Sequence, residues 1–490
     1  MCLSRSQTPA KAMLSNRTLV IKKILMRRWR AFVFFLMLLL AGAITKLASR
    51  VIHFSDSPFQ SQIIQLDIPA GYQADGQGGL ISADVNDDGE TDFLVTQSGK
   101  VMAYEADGKK LWNKAISIQL TQKLERDGLP GLHAPGLQAG DVDGDGNTEV
   151  VFLTQDNALH IIDGASGESK KTIALSSPEG ADRWEHLAIA NFRGQGDRDL
   201  LLQATNSGKY RVGRFLAAYA FEDLLESDKP QPLWARDDFK GSAHSGARIA
   251  DLDGDGKDEV LGGSVVSADG EMLLRLLVDG HIDGLSVTDV RPDLPGLEVV
   301  ALEEGEKNRV FLYGRDRIIW ETDYKRQEPQ NAAVGDFDPE RPGLEIWCRS
   351  RYNEDQKPFV FDAQGELISE YVINRVSPFG WTKKGVEVIF TLDWTGDPKQ
   401  LAAAKERHES GDVAIFDPIS GKFLARFPER ADRLYVADVS GDWREELIIL
   451  NGNQLRIYSN ADPNPNPNKP RLWTFDRYRR SKMTWNYYNP

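Results

Sequence analysis

Closely spaced acidic side chains in residues 250–260 are the part of this chain whose chemistry is easiest to predict. Asp251, Asp253 and Asp255 occupy alternate positions, a glycine follows, and Glu259 closes the stretch. A hard cation such as Ca²⁺ takes roughly six to eight oxygen ligands, and a looping run of alternate carboxylates with a glycine turn supplies them. The apolar flanks are typical of strands, so the stretch predicts a calcium-binding hairpin loop and not an EF-hand.

The same acidic pattern recurs along the chain, and this repetition separates it from an ordinary turn, which favours the same residue types. Eight loops begin at residues 84, 141, 191, 251, 289, 336, 393 and 438, at intervals of 38 to 60 residues. The loops at 191, 289 and 393 depart from the pattern, and Arg193 stands where the first of these should offer a ligand, so their occupancy is left open. The predicted calcium ligands are Asp84, Asn86, Asp88, Asp92, Asp141, Asp143, Asp145, Glu149, Asp251, Asp253, Asp255, Glu259, Asp336, Asp338, Glu345, Asp438, Asp442 and Glu446.

The segments around the loops predict the fold. Apolar runs of strand length enter and leave the loops, and turns rich in Gly and Asp follow, as at 101–112 and 159–168. Four strands per repeat form an antiparallel blade, and a period of roughly 40–50 residues is typical of propellers. We therefore predict an all-β fold, an eight-bladed β-propeller over residues 58–460. Residues 61–68 are expected to supply the outer strand of the last blade and so close the ring.

The chain begins with a basic segment, residues 1–30, followed by an apolar segment, residues 31–48. Residues 31–44 carry no charge, and if Lys46 snorkels the segment is long enough to cross a membrane. We predict an uncleaved transmembrane or signal-anchor helix, with the basic tail in the cytoplasm and the propeller exported to the periplasmic or cell-surface side. Cleavage near residues 41–43 would give a secreted protein instead.

The charge and the C-terminal segment limit the choice of partners. The formal net charge is −14 although the first 50 residues carry ten bases and no acid, so the rest of the chain is strongly acidic. Such acidity argues against nucleic acid as a partner. Residues 461–490 form an Asn/Pro linker and a basic, aromatic tail, which is expected either to pack across the propeller or to stack on sugar rings. We expect a monomer.

Four histidines precede an acidic loop by five to eight residues; they are His133, His186, His244 and His281. Equivalent positions on successive blades lie at the same radius, so these side chains are expected to line one mouth of the channel, and Arg433 has the matching position in the last blade. A rim of bases and imidazoles on an acidic propeller suits an anionic ligand. Alternatively, each histidine caps a turn or bonds a backbone carbonyl.

The loops resemble FG-GAP or VCBS-type calcium-binding propeller repeats. From about residue 232 onward the chain is also similar to rhamnogalacturonan lyase of polysaccharide lyase family eleven. The stretches that carry this resemblance are 244–259, 279–283, 289–298, 335–345, 441–446 and the final Tyr487-Tyr-Asn-Pro490. The resemblance implies an eight-bladed, calcium-rich propeller. Two features depart from it: a membrane segment replaces an N-terminal β-sandwich, and Pro428-Glu-Arg-Ala-Asp-Arg433 replaces an Asn-Gly-Thr-Lys stretch associated with substrate binding.

Two functions are compatible with these features. The anchor, the loops and the missing stretch favour a membrane-anchored, extracytoplasmic calcium-binding propeller that binds a polysaccharide or protein ligand without cleaving it. The alternative is a rhamnogalacturonan lyase-like enzyme that cleaves by β-elimination. Such an enzyme needs a cation that neutralises a uronate carboxylate and a general base near neutral pKa. The candidate catalytic residues are His244, His281 and Arg433.

Overall fold

Eight four-stranded antiparallel sheets make up the part of the chain that the structure describes. The computed structural model describes residues 59–69, 79–97, 99–118, 137–205, 212–242, 246–323, 328–351, 355–407 and 411–483. Seven sheets consist of four consecutive strands, and the eighth combines strands from both ends of the chain. The predicted all-β, eight-bladed propeller is confirmed.

The strands follow the repeats in order. Blade 1 contains β2 (Gly79–Ala83), β3 (Asp92–Gln97), β4 (Lys100–Tyr104) and β5 (Lys110–Ala115); blade 2 contains β6 (Leu137–Gly140), β7 (Glu149–Leu153), β8 (Ala158–Asp163) and β9 (Ser169–Ala174). Blade 3 contains β10 (Trp184–Ala190), β11 (Asp199–Thr205), β12 (Val212–Ala220) and β13 (Trp234–Arg236); blade 4 contains β14 (Arg248–Ala250), β15 (Glu259–Leu261), β16 (Ser264–Val266) and β17 (Met272–Arg275).

Blade 5 contains β18 (His281–Thr288), β19 (Glu298–Glu304), β20 (Arg309–Tyr313) and β21 (Ile318–Asp323); blade 6 contains β22 (Pro329–Gly335), β23 (Glu345–Ser350), β24 (Phe359–Phe361) and β25 (Leu367–Glu370). Blade 7 contains β26 (Val386–Leu392), β27 (Leu401–Glu406), β28 (Gly411–Phe416) and β29 (Phe423–Ala431); blade 8 contains β30 (Arg433–Ala437), β31 (Glu446–Asn451), β32 (Gln454–Asn460) and β1 (Phe59–Gln65). The described residues include three short α-helices: α1 (Phe221–Glu226) within blade 3, α2 (Ile373–Val376) between blades 6 and 7, and α3 (Asp476–Met483) after blade 8.

The two ends of the propeller meet in blade 8. Strand β1 pairs with β32 in antiparallel register, from Phe59 opposite Asn460 to Gln65 opposite Gln454. The N-terminal strand is therefore the outermost strand of the last blade, as the sequence predicts. This pairing covers an edge that would otherwise expose unpaired backbone groups.

The second strand of each blade carries much of the core. Every residue of β3, β11 and β19 is buried, whereas the outermost strand β5 mixes exposed and buried positions. A strand covered on both faces favours a continuous apolar run over alternation. This explains why the apolar run that leaves each acidic loop is the clearest strand in its repeat.

Neighbouring blades are joined by tryptophans of the outer strands. Trp112 of blade 1 donates its indole N–H to the carbonyl of Gly164 in blade 2, at 2.6 Å. Its ring covers Gly167, which has a φ of +70° and where a Cβ would lie 2.9 Å from the ring. Trp234 covers Gly270 of blade 4 in the same way. Only glycine permits both the backbone angle and the close approach.

The C-terminal segment packs across one end of the channel, which confirms the first of its two predicted arrangements. In α3, Lys482 Nζ lies 2.8 Å from Glu445 Oε1, and the Tyr478 hydroxyl donates to the same carboxylate at 2.8 Å. Arg480 lies 2.9 Å from the carboxylate of Asp258 in blade 4. Acids of blades 4 and 8 thus hold one basic helix.

In the described ranges, the structure has no helix that is long and apolar enough to span a membrane. The predicted anchor, residues 31–48, and the basic tail, residues 1–30, lie outside those ranges. The anchor therefore stays a prediction.

The closing strand offers a matched pair of substitutions. Ile64 is buried in the core of blade 8, whereas its neighbour Ile63 is 53% exposed. We expect Ile64→Ala to lower the free energy of unfolding by ~2–4 kcal/mol, because it removes buried methyl groups and leaves a cavity. Ile63→Ala should change it by less than about 0.5 kcal/mol. Urea denaturation measures both, and similar losses in the two variants would contradict the assigned register.

Candidate active site and metal-binding loops

The two ends of the central channel differ in chemistry. First strands of neighbouring blades contact one another, as β18 does with β22 and β22 with β26, so these strands surround the channel. Each acidic loop follows its first strand, so the eight loops share one end, which we call the loop face. The starts of the first strands share the other end. We call it the polar mouth and define it by Glu185, Arg248, Asp283, Asn331, Glu387 and Arg433.

All of the predicted calcium ligands lie on the loop face. In blade 4 the chain curls around Asp251, whose carboxylate accepts the backbone N–H of Gly256 at 2.9 Å and of Asp255 at 3.1 Å. Glu259, the first residue of β15, accepts the N–H of Leu252 at 2.9 Å. The loop is thus held by hydrogen bonds from its own backbone to its first and last acids.

The bond made by the closing acid recurs around the ring. In seven loops this acid begins the second strand and accepts the N–H of the second loop residue, at 2.8–3.0 Å. The closing acids are Asp92, Glu149, Asp199, Glu259, Glu298, Glu345 and Glu446. The sequence predicts several of these as metal ligands but gives no indication of the backbone bond. One carboxylate oxygen is used by it and the other remains for a cation.

Successive loops are also linked sideways. The side chain of Asp258 in blade 4 accepts the N–H of Asn191 in blade 3, at 2.6 Å. Glu445 of blade 8 does the same for Asp393 of blade 7, at 3.0 Å. The residue before the closing position therefore ties its loop to the preceding blade.

Several loops have buried carboxylate oxygens that suit a cation. Among the described residues, Asp92 Oδ1, Asp289 Oδ1, Asp336 Oδ1 and Glu345 Oε1 are buried and accept no hydrogen bond. Burial raises the pKa of Asp92 and of Glu345 to about 7. A buried carboxylate without a positive partner is costly, and a divalent cation beside it offsets that cost. Blades 1 and 6 therefore fit the calcium prediction.

Blades 2 and 4 also bring suitable oxygens together. Ligand atoms of Asp141, Asp143 and Glu149, and likewise of the three aspartates of the blade 4 loop, lie within 4.8 Å of one another. A side chain from outside each loop approaches the same oxygens. Lys170 Nζ lies 2.9 Å from Asp143 and also contacts Glu149, while Arg315 Nε lies 2.9 Å from the closing acid of blade 4.

In blade 8 the predicted ligands have protein partners. Asp442 Oδ2 lies 2.6 Å from the guanidinium of Arg444. Asp438 accepts the N–H of Gly441 at 2.8 Å and that of Leu472 at 3.0 Å. Asp438 thus holds the C-terminal segment, whether or not the loop also takes a cation.

The polar mouth is built largely by irregularities in the first strands. The antiparallel register shifts at Glu185 in β10, at Asp283 in β18, before Ala332 in β22 and after Val386 in β26. A bulge re-aims a side chain out of the regular alternation, and bulges are common beside active sites. All six residues that define the mouth are at least 96% buried.

A continuous polar network joins the mouth residues of blades 5 to 7. His281 Nε2 lies 3.5 Å from Asp283 Oδ1 and 3.4 Å from Glu304 Oε2. Glu304 accepts a hydrogen bond from Gln330 at 2.8 Å, and Gln330 accepts one from Arg349 at 2.7 Å. The first three of these side chains offer ligand atoms within 4.8 Å of one another, so this cluster also fits a cation.

Lys405 is a buried base at the mouth that the sequence analysis does not single out. Burial lowers its pKa, and the nearby charge of Arg433 adds to that shift while Glu387 opposes it. It follows three alanines in a buried strand. A charge within an apolar run is the pattern that could have revealed it.

The structure brings only part of the predicted catalytic set together. His281 and Arg433 lie at the same end of the channel, at the starts of β18 and β30, but three blades apart. His244 and His133 lie outside the described residues. His186 lies within β10, where Nε2–H donates to the Ala247 carbonyl at 2.9 Å, so its role is the predicted alternative of bonding a backbone carbonyl.

Comparison with known proteins identifies the family. The sequence profile described as rhamnogalacturonan lyase family 11, C-terminal domain, matches residues 209–489. The chain belongs to rhamnogalacturonan lyase family 11. A profile of FG-GAP-like repeats matches residues 84–152, in the first two loops. Both resemblances seen in the sequence are confirmed.

Relatives within the family match most of this chain. Rhamnogalacturonan endolyase YesW of Bacillus subtilis (strain 168) is 28% identical over 449 residues, which cover 79% of this chain and 66% of YesW. Rhamnogalacturonan exolyase YesX of the same organism is 24% identical, over 77% of this chain and 70% of YesX. This chain thus spans just under two thirds of the endolyase.

A solved structure shows that the fold is shared. The rhamnogalacturonan lyase of Bacillus licheniformis matches with a TM-score of 0.63 at 19% identity, over 88% of this chain and 81% of the lyase. The family membership favours the second of the two functions considered from the sequence, the lyase.

The buried His186 makes stability depend on pH. Burial lowers its pKa to about 4, and the charge of Arg248 adds to the shift. Unfolded histidine takes up its proton near pH 6.5, so the penalty is absent above that pH and grows as the pH falls toward 4. Between pH 7 and 5 we expect the native chain to lose ~2 kcal/mol more stability than His186→Gln. Parallel losses, measured by urea denaturation at each pH, would contradict this assignment.

Proposed function

We propose that this chain is a polysaccharide lyase that cleaves a rhamnogalacturonan-type backbone by β-elimination at the polar mouth. Family membership supports the substrate class. The observation that carries the site is the concentration of buried charges at the starts of the first strands, on the end of the channel opposite the C-terminal helix. A ring of this kind is expensive to bury, and such arrangements cluster at functional sites.

The reaction has two requirements that the polar mouth can meet. The proton on C5 of a uronate is acidic only when the adjacent carboxylate is neutralised, and Arg248, in the blade next to that of His281, is a cation at the mouth. A base must then accept that proton. His281 is suited to this role, because Asp283 and Glu304 beside Nε2 favour the proton on that nitrogen and leave Nδ1 to act as the acceptor.

The bonds balance as follows. The C5–H bond breaks and its proton passes to His281, the electron pair forms a C4–C5 double bond, and the C4–O bond breaks. The glycosidic oxygen leaves with a proton taken from solvent or from the protonated base. The product is an unsaturated uronate, which absorbs in the ultraviolet.

Activity on rhamnogalacturonan tests this proposal. We expect the purified full-length chain to release ultraviolet-absorbing product, and His281→Gln to lower kcat/KM by at least ~100-fold, the usual contribution of a general base. His160→Gln is the matched control, since His160 lies on β8 and its ring stacks on Phe152 of the same blade. Binding of the polysaccharide without any product would contradict the lyase proposal and favour a propeller that binds the polysaccharide without cleaving it.

We propose further that calcium is held at the loop face and stabilises the fold. Buried, unpartnered carboxylate oxygens support this in blades 1 and 6, and clusters of ligand atoms support it in blades 2 and 4. Calcium there would supply positive charge to carboxylates that are buried at the starts of the β-strands.

Chelation should therefore destabilise the protein. We expect the chelator EGTA to lower the melting temperature by several degrees and added calcium to restore it, because an ion that binds only the folded state stabilises it. Asp253→Asn should lower the calcium bound per chain by one, as measured by mass spectrometry of the metal. Asp237→Asn, at an exposed position outside the loops, serves as the control. An unchanged melting temperature in EGTA would refute a structural role for calcium.

A further inference from the structure

The blade 3 loop, residues 191–199, differs from its neighbours in charge. The blade 2 loop, residues 141–149, has four acids and no base, and the blade 1 loop, residues 84–92, has five acids and no base. The blade 3 loop has two of each. Where the neighbours offer Asp or Asn at the third and fifth positions, it has Arg193 and Gln195.

Arg193 occupies the third position of the loop, where the neighbouring loops have a predicted metal ligand. Its guanidinium contacts the closing acid. Its Nε is 2.6 Å from Oδ1 of Asp199, the buried closing acid. Its Nη2 donates to the carbonyl of Arg198 at 3.2 Å. The backbone N–H of Arg193 adds a bond of 2.9 Å to the other oxygen of Asp199. Bonds of this charge-assisted kind are about twice as strong as neutral ones.

The loop nevertheless keeps the shape of the others. The side chain of Asn191 accepts the N–H of Gln195 at 2.7 Å and of Gly196 at 3.0 Å, just as Asp251 does for its own loop. The N–H of Phe192 bonds the closing Asp199 at 2.8 Å. The hairpin conformation is therefore compatible with a protein cation in place of a metal ion.

The second base of the loop points away from it. Arg198 Nε donates to the Val142 carbonyl of blade 2 at 2.9 Å. A divalent ion in the blade 3 loop would have to displace Arg193 and would find neither a carboxylate nor a short amide at the third position. These residues do not fit the calcium site that the repeat implies.

We propose that the blade 3 loop binds no calcium, because Arg193 is the fixed cation of that loop. Asp199 is satisfied without metal, and blade 3 keeps its loop conformation when the other loops lose their ions. The inference builds on the proposal that the other loops bind calcium. The predicted effect of Arg193 on thermal stability does not depend on that proposal.

Calcium counting gives the first test. Asp199→Asn should leave the calcium bound per chain unchanged, whereas Glu259→Gln, the same substitution in blade 4, should lower it by one. The double variant Arg193→Asp with Gln195→Asp restores the acidic pattern and should bind one additional calcium. Lys229→Asp with Gln231→Asp makes the same change at the same spacing in an exposed segment and should bind none. Loss of one calcium in Asp199→Asn would overturn the proposal.

Thermal unfolding in EGTA and in calcium gives the second test. Arg193→Gln should lower the melting temperature by the same amount in both, because the lost cation is part of the protein. If the native chain binds no calcium at all, the calcium proposal fails, and this measurement alone decides the role of Arg193. An unchanged melting temperature in Arg193→Gln would overturn it.

Discussion

One carboxylate at the start of the second strand organises seven of the eight blades. It is buried and accepts the N–H of the second loop residue, which sets the turn between the first and second strands. That backbone bond satisfies one oxygen, and the second oxygen needs a positive partner because it is shielded from water. The partner is an arginine within the loop in blade 3 and a long basic side chain from outside the loop in blades 2 and 4, which the proposed calcium would replace, whereas blades 1 and 6 have buried oxygens without a protein donor. A single repeated constraint thus has several electrostatic solutions on one scaffold.

The two ends of the channel use buried charge differently. On the loop face the acids are met by the C-terminal helix, whose Arg480 and Lys482 contact acids of blades 4 and 8. At the polar mouth the first strands carry acids, arginines and an asparagine, and hydrogen bonds link blade 5 to blade 6 and blade 6 to blade 7. Charge at the first end fastens elements of the fold together. Charge at the second end surrounds the start of the channel, where we propose that the chemistry takes place.

The sequence predicts the fold much better than the site. The number of blades follows from the acidic repeat, and the closing strand follows from an apolar segment placed before the first repeat. The similar distance of His281 and Arg433 from the next loop predicts that both lie at the starts of first strands, and the structure has them there. His186 fits the same spacing and yet has a structural role, since spacing does not show which way a side chain points.

Other residues of the mouth were missed for a physical reason. Glu185, Asp283 and Glu387 lie at bulges, where the alternation of strand positions is interrupted, so no period-two pattern could assign them to the channel. Lys405 lies on the second strand of blade 7, opposite the bulge in β26, so the pattern of the first strands does not include it. The basic and aromatic composition of the C-terminal tail suits both an acidic protein surface and a sugar, so composition alone does not determine its arrangement.

The pairing of β1 with β32 has a consequence for how the chain folds. Gln65 and Asn453 are hydrogen-bonded neighbours, yet 388 residues separate them in sequence. Strand β1 is therefore synthesised long before its partner β32, and long-range closure of this kind slows folding. Until then two blade edges are exposed to pairing with other chains. Strand β1 stays unpaired until β32 has been synthesised. It carries the polar side chains of Gln60, Ser61 and Gln62, which favour solvation of the unpaired strand.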